Sequence, residues 1–298
     1  MIAVSTAHPL PKPMPQVRRL PGRKRMTIAI GLLATDGVVI AADTQESAGY
    51  PGDMKSSGTK ILWALRSDAS NPPVTGAFAV SGAGTVGNLD AVNQKLAESF
   101  CLSAGNTLND LTALLNASLD DFYTHHVLLP QERKDKHFDL VLGATQGNDT
   151  RLWLSDQTVL RRSNTYGAVG SGAEYATVLL SRIYTQLPLS KATVLAAYTI
   201  FLVKEFVEGC GKNTEVVVLD GGQARMLADS DIALMEYHFN HALKLDSMMV
   251  HYIIGRRVPD ENAALNNLTG YLKSLRTSLE ENPNITAEIR GWDIDWDE

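Results

Sequence analysis

The pattern of hydrophobic and polar positions divides most of the chain into short strands and longer helices that occur in alternating blocks. Short apolar runs rich in valine, isoleucine and alanine predict strands, whereas apolar residues spaced three and four apart predict helices. The predicted elements, in chain order, are strands at 27–33, 38–43 and 74–81, helices at 89–100 and 108–119, strands at 138–144 and 151–154, helices at 173–187 and 190–208, and strands at 216–219 and 223–227.

Turn and cap residues at the ends of these elements support the assignment. Asp36-Gly37 lies between the first two strands and Asp220-Gly221-Gly222 between the last two, and both sequences are typical of hairpin turns. Ser190 is the expected N-cap of the fourth helix. Because strands and helices are grouped in blocks, the chain predicts antiparallel sheets rather than parallel β–α–β units. We therefore expect an α/β (α+β) four-layer αββα sandwich, in which two antiparallel sheets are flanked by helix pairs.

The two ends of the chain differ in composition from its centre. Residues 1–26 are rich in proline and arginine and contain no acidic residue, which predicts a disordered extension. Residues 27–227 form the predicted globular domain. Residues 228–298 form a predicted C-terminal extension, with helices at 232–245 and 263–279 and an acidic tail.

Charge and cysteine content exclude several classes of protein. Six of the 27 basic residues lie in residues 1–26, so the remaining chain has 21 basic and 33 acidic residues, a net charge of −12. This acidic balance argues against nucleic acid as a partner. The chain has no run of about 18 apolar residues, so no membrane span is expected. Two cysteines, Cys101 and Cys210, do not make a disulfide framework, and we expect a cytoplasmic protein without a metal or cofactor.

The candidate chemistry is concentrated between residues 27 and 60. Thr27 opens the first strand, Gly31 follows four residues later, the second strand ends in Ala41-Ala42-Asp43-Thr44, and Gly58-Thr59-Lys60 comes next. This order resembles the proteasome β subunits and their bacterial relatives of the HslV and Anbu kinds. In that family a threonine opens the mature chain and is followed by an Asp-Gly turn, an aspartate and a lysine. The spacing from Thr27 to Lys60 is one residue longer than the usual one.

Two later segments extend the resemblance to about residues 27–227. The segment 78–84, Phe-Ala-Val-Ser-Gly-Ala-Gly, resembles the third strand of the family and the glycine-rich stretch after it. The segment 169–176, Val-Gly-Ser-Gly-Ala-Glu-Tyr-Ala, resembles the Gly-Ser-Gly entry into a helix. The resemblance therefore implies the N-terminal-nucleophile (Ntn) hydrolase fold.

The resemblance also implies a role for each candidate residue. A threonine hydroxyl needs a base, and the α-amine of Thr27 would supply it, since such amines have a pKa near 8 in model peptides. Lys60 would place positive charge beside Thr27, Asp43 would pair with the buried Lys60, and Ser171 would hydrogen-bond the amine. The backbone N–H of Gly82 is the expected donor to the oxyanion. A glycine that only turns the chain is the alternative explanation for position 82.

One region departs from the proteasome pattern. Proteasome subunits carry an aspartate, with serine three residues later, just before a late strand. Here that region reads Val-Glu-Gly-Cys-Gly at 207–211, so Glu208 and Cys210 are the candidate supports for the amine. HslV-type relatives also lack the Asp/Ser pair, and the departure does not by itself predict an inactive protein.

The nucleophile must become N-terminal before it can act. Met26 precedes Thr27 in the encoded chain, where the family often has glycine. Either Met26 is the true start and is trimmed, or residues 1–26 form a propeptide that autolysis removes. The composition of residues 1–25 favours the first route.

The resemblance implies a threonine protease, an endopeptidase of a self-compartmentalising complex that hydrolyses unfolded proteins or peptides. It implies a homo-oligomeric ring or related assembly, with an ATP-dependent unfoldase as a candidate partner. Two alternatives stay open: an Ntn amidase with a small amide substrate, and a non-catalytic structural subunit. The presence of both Thr27 and Lys60 argues against the structural subunit.

Overall fold

The computed structural model describes most residues from Thr27 to Ile253 and a few beyond them. The described residues are 27–47, 55–67, 75–103, 107–128, 138–156 and 158–253, together with 266, 269–270, 272–274 and 277. The predicted extension at 1–26 and the acidic tail lie outside the described residues. So does most of the predicted helix at 263–279, whose described residues are helical.

The described residues between 27 and 253 form twelve strands and five α-helices. The strands are β1 (Ile28–Leu33), β2 (Gly37–Asp43), β3 (Gln45–Ser47), β4 (Lys55–Ser57), β5 (Leu62–Ser67), β6 (Thr75–Gly84), β7 (Phe138–Gln146), β8 (Asp149–Asp156), β9 (Val159–Ser163), β10 (Tyr166–Gly170), β11 (Thr214–Asp220) and β12 (Gln223–Met226). The helices are α1 (Val86–Leu102), α2 (Leu108–Tyr123), α3 (Ala173–Ile183), α4 (Leu189–Phe206) and α5 (Asp229–Ile253), and a single π-helical turn (Thr124–Leu128) follows α2.

The strands pair into two antiparallel five-stranded sheets and one small hairpin. The first sheet has the order β10-β1-β2-β11-β12 and the second has the order β5-β6-β7-β8-β9, while β3 and β4 pair with each other. Helices α3 and α4 cover the outer face of the first sheet, and α1 and α2 cover the outer face of the second. The expected four-layer αββα sandwich of two antiparallel sheets is therefore confirmed.

The central strands are apolar on both faces because one face meets helices and the other meets the opposite sheet. In β1, Ile28 and Ile30 pack into the core beneath α3 and α4, whereas Ala29 belongs to the core between the sheets. A Cβ at Gly31 would lie only 2.5 Å from Leu152 Cδ1 of the opposite sheet. The motif glycine at position 31 is thus explained by the close approach of the two sheets.

The predicted hairpin turns are confirmed, but the predicted cap of the fourth helix is wrong. The N-cap of α4 is Pro188, not Ser190. The Leu189 N–H, at the start of the helix, donates to Asp36 Oδ1 at 2.8 Å. A carboxylate from the β1–β2 turn therefore satisfies a free helix-end donor, and the helix needs no local serine cap.

Five strands escaped the hydrophobic pattern, and α5 is longer than predicted. Strands β3 and β4 have three residues each, β10 contains two glycines, and β5 and β9 are edge strands with exposed apolar residues. Helix α5 lies in the segment assigned to the extension, yet its Ile232 and Met235 join the core beneath α4. The boundary at residue 227 stays a prediction. No helix among the described residues has the length and apolar character needed to cross a membrane.

Candidate active site

Strand pairing brings Thr27 next to Asp43. Strands β1 and β2 form a hairpin in which Ala29 pairs with Ala42, so the start of β1 lies beside the end of β2. Thr27 is 7 % exposed, and its hydroxyl donates to Asp43 Oδ1 at 2.8 Å. The hydroxyl is therefore held at the rim of the sheet by the carboxylate.

Asp43 is fully buried and accepts four hydrogen bonds. Besides the Thr27 hydroxyl, its Oδ1 accepts from the Ile28 N–H at 3.1 Å and from Lys60 Nζ at 2.8 Å. Its Oδ2 accepts from the Gly211 N–H at 2.9 Å. A carboxylate with no solvent contact requires such a full set of donors.

The Lys60 ammonium completes a cluster of three side chains. Its Nζ donates to Thr27 Oγ1, to Asp43 Oδ1 and to the carbonyl oxygen of Gln45. The lysine side chain is 11 % exposed. One buried carboxylate and one largely buried cation therefore contact the same threonine oxygen, and each offsets the desolvation of the other.

Ser171 binds the backbone of Thr27 from the neighbouring strand. The β10–α3 turn carries Ser171 to the start of β1 because β10 pairs with β1, with Gly170 opposite Ile28. The Thr27 N–H donates to Ser171 Oγ at 3.1 Å, and the serine hydroxyl lies 3.2 Å from the Thr27 carbonyl oxygen, to which it donates. The nitrogen that would be the α-amine of a chain starting at Thr27 is thus held by Ser171.

Gly170 is expected to be essential for this contact. Its φ is +104°, and a Cβ there would lie 2.3 Å from the Thr27 carbonyl oxygen. Gly170→Ala is expected to lower the free energy of unfolding by about 1–3 kcal/mol, because it adds backbone strain and displaces Thr27. Urea unfolding measures this loss. The matched control is Gly147→Ala, at φ +56° and with nothing within 4 Å, so an equal loss in both variants would contradict the role of the close contact.

Of the two candidate supports for the amine, Cys210 contacts Ser171, and Glu208 does not lie in the site. Cys210 is 7 % exposed, and its Sγ is 3.6 Å from Ser171 Oγ. Burial raises the pKa of Cys210 to about 11, so the thiol stays protonated and can donate to the serine oxygen. The side chain of Glu208 is exposed to solvent.

Gly82 has a packing reason to be glycine. A Cβ there would lie 2.6 Å from the Asp139 carbonyl oxygen and 2.7 Å from Leu140 Cδ2, both in β7. The missing side chain therefore makes room for the neighbouring strand, not for a substrate. The role of the Gly82 N–H as oxyanion donor stays a prediction.

Three contributors to the cluster were missed from the sequence. They are the Gln45 carbonyl, the Gly211 N–H and the carboxylate of Glu215, which accepts from the Lys60 N–H at 2.8 Å. The first two are backbone groups, which carry no sequence signal, whereas Glu215 is a charged residue directly before the apolar run 216–219 of β11. Among the described residues no group of three or more His, Cys, Asp or Glu side chains is arranged to hold a metal.

Comparison with known proteins agrees with this architecture. The chain matches no protein-family model. It is 25 % identical to proteasome subunit beta 2 of Pyrobaculum neutrophilum over 203 residues, which cover 66 % of this chain and 90 % of the relative.

Solved structures of Anbu proteins share the fold. Anbu from Yersinia bercovieri, an ancestral beta-subunit, has a TM-score of 0.59 at 15 % identity and covers 74 % of this chain and 97 % of its own. The helical assembly of the Anbu complex from Pseudomonas aeruginosa has a TM-score of 0.60 at 15 % identity and covers 80 % and 99 %. The chain therefore has the fold of the proteasome-like Ntn hydrolases and is a relative of the proteasome β subunits.

Proposed function

We propose that the chain is a threonine-type endopeptidase in which Thr27 is the N-terminal nucleophile. The observation that carries this proposal is the buried cluster in which the Thr27 hydroxyl contacts both Asp43 and Lys60. A threonine placed only for strand formation has no need of a buried aspartate and a lysine on the same oxygen. The fold supports the proposal because it is the fold of the proteasome-like hydrolases.

The reaction would follow from the positions of these groups. The free α-amine of Thr27 takes the proton of its own hydroxyl, and Oγ1 attacks the carbonyl carbon of the scissile peptide bond. The Lys60 ammonium stabilises the charge that develops on Oγ1, and the Gly82 N–H is the proposed donor to the oxyanion. The protonated amine then gives its proton to the leaving nitrogen. The amine next takes a proton from water, and the resulting hydroxide attacks the acyl ester carbon. The bond from that carbon to Oγ1 breaks, and the amine returns the proton to Oγ1, which releases the acid and regenerates Thr27.

Asp43, Ser171 and Cys210 would position these reacting groups. Asp43 holds Lys60 and, in the resting state, accepts a hydrogen bond from the Thr27 hydroxyl. Ser171 Oγ accepts from the Thr27 nitrogen, and the neutral Cys210 thiol supports that serine. We propose that Cys210 gives the amine the support that a serine gives in proteasome subunits.

The mechanism sets a requirement on the chain end. A peptide nitrogen cannot act as a base, so Thr27 must carry a free amine, made by removal of Met26 or of residues 1–26. We also propose that the protein works as a homo-oligomer that encloses the site and admits unfolded polypeptides. The helical assembly of the Anbu complex from Pseudomonas aeruginosa supports the homo-oligomer. An ATP-dependent unfoldase is the proposed partner that would deliver substrates.

The test compares two forms of the protein that differ only at the chain start. One form begins at Thr27, and the other carries one additional alanine before Thr27, so that all side chains are kept but the threonine amine is acylated. Both are assayed with unfolded casein and with fluorogenic peptides, and intact mass confirms each chain start. The first form is expected to release peptides, and the second is expected to be at least about 100-fold slower because it lacks the base.

Two results would overturn the proposed function. Equal rates for the two forms would exclude the amine of Thr27 as the base. Hydrolysis confined to small amides, with no cleavage of casein or peptides by the form that begins at Thr27, would support an Ntn amidase instead.

A further inference from the structure

A second carboxylate, one strand away from Asp43, contacts the backbone of Lys60. Glu215 lies on β11 directly after Thr214, which pairs with Asp43, and it pairs with Ala42. Its Oε2 accepts from the Lys60 N–H at 2.8 Å and from the Ile61 N–H at 3.2 Å. We propose that Glu215 is a positioning residue for Lys60, and this inference rests on the proposed function.

The segment that carries Lys60 depends on such an anchor. Residues 58–61 connect the β3–β4 hairpin to β5 and belong to neither ladder. The Gly58 N–H donates to the Thr44 carbonyl oxygen at 3.1 Å, and Ile61 is 2 % exposed in the core between the sheets. Glu215 accepts from the N–H groups of the last two residues of this segment, Lys60 and Ile61.

The backbone at Lys60 must be fixed because the lysine side chain is long. Four rotatable bonds separate the Lys60 Cα from its Nζ, and each would be free in an unanchored segment. Lys60 is held at both of its ends. Asp43 and the Gln45 carbonyl oxygen bind its ammonium, and Glu215 binds its backbone N–H. The two carboxylates on adjacent strands thus divide the task of placing positive charge beside Thr27.

Burial of the Glu215 carboxylate lowers the stability of the folded protein. Burial raises the pKa of its carboxyl, although the Lys60 and Ile61 N–H groups and the Lys60 charge oppose the rise. A carboxyl with a raised pKa in the folded state disfavours folding once it ionises, so this contribution worsens as the pH rises through that pKa. A glutamine of the same shape would avoid this cost and keep an acceptor oxygen for the Lys60 and Ile61 N–H groups, so the acceptor oxygen is the feature that positions Lys60.

The experiment separates positioning from folding with three variants in the form that begins at Thr27. Glu215→Ala removes the acceptor, Glu215→Gln keeps a carbonyl oxygen without charge, and Glu205→Ala alters an exposed glutamate at the end of α4. For each, kcat and KM are measured with a fluorogenic peptide. Thermal unfolding at pH 7 and amide hydrogen exchange of the peptide spanning residues 59–61 complete the set.

Glu215→Ala is expected to lower kcat by about tenfold or more, with KM changed less than about twofold, because a misplaced charge affects the reacting oxygen and not substrate binding. Exchange at 59–61 is expected to rise by about tenfold. Glu215→Gln is expected to keep at least about a third of kcat and a Tm no lower than that of the unaltered protein. Glu205→Ala is expected to match the unaltered protein in every measurement.

Unchanged kcat and unchanged exchange in Glu215→Ala would overturn the inference. So would a fall in Tm without faster exchange at 59–61. If Glu215→Ala does not fold, Glu215→Asp replaces it, because a carboxylate one methylene shorter leaves the N–H donors out of reach. Absence of activity in the unaltered form would overturn the proposed function alone, since the exchange measurement requires no turnover.

Discussion

Thr27→Ala, in a chain that begins at residue 27, is expected to reduce peptide hydrolysis by about 10³-fold or more. The substitution removes the oxygen that Asp43 and Lys60 contact and leaves the α-amine without a hydroxyl to deprotonate. Initial rates with a fluorogenic peptide measure the loss. The variant is expected to keep the fold, because Asp43 still accepts from Ile28, Lys60 and Gly211.

The matched control for this prediction is Thr27→Ser. Serine keeps the hydroxyl and the amine and lacks only the γ-methyl group, so measurable hydrolysis is expected to persist. Circular dichroism and thermal unfolding of both variants show whether each is folded. Hydrolysis by Thr27→Ala at the rate of the unaltered chain would exclude Thr27 as the nucleophile.

The pairing of Thr27 with Asp43 could be anticipated because it depends on one local hairpin. Two strands of known length and an Asp36-Gly37 turn fix the register, and the register sets the end of β2 beside the start of β1. The fold class was predictable for a similar reason, since the blocks of strands and helices were visible in the apolar pattern. Local sequence carries this kind of information.

Contacts across long sequence separations depended on the family resemblance. Lys60 follows the β3–β4 pair in the chain and returns to contact Thr27. Ser171 contacts Thr27 because β10 pairs with β1 in the first sheet. No spacing rule predicts either path. The resemblance named both residues, and the structure brings their side chains to Thr27.

The choice between Glu208 and Cys210 could not be made from the sequence, because it depends on backbone direction after α4. Gly209 lies between the two candidates and has a φ of +92°, and the chain there leads from Glu208 at the surface to Cys210 beside Ser171. Charge alone would have favoured the glutamate.

Glu215 was missed because a glutamate directly before an apolar run is normally placed outside the predicted strand. The predicted strand began at Val216, whereas β11 begins at Thr214. Glu215, which the pattern placed outside the strand, therefore belongs both to β11 and to the candidate site. A charged residue next to a buried strand is informative only when the partner that offsets its desolvation is known, and that partner was the backbone of Lys60.

The second large effect is expected at Asp43, where stability and catalysis can be separated. Asp43→Asn leaves the Lys60 ammonium buried without its carboxylate, so the free energy of unfolding is expected to fall by about 3 kcal/mol. Hydrolysis is expected to fall by about 100-fold or more, because Lys60 no longer has a fixed position beside Thr27. Urea unfolding and initial rates measure the two losses.

Adding Lys60→Met to Asp43→Asn tests the physical cause of the loss. The double variant removes the buried cation, while the asparagine carbonyl can still accept from the Ile28 N–H. Stability is therefore expected to recover by at least about 1 kcal/mol, as for other ion pairs replaced by neutral side chains. Hydrolysis is expected to stay at or below the level of Asp43→Asn, because no positive charge faces Thr27 Oγ1. Recovery of hydrolysis together with stability would show that Asp43 and Lys60 only hold the fold, and that the threonine acts without their charge.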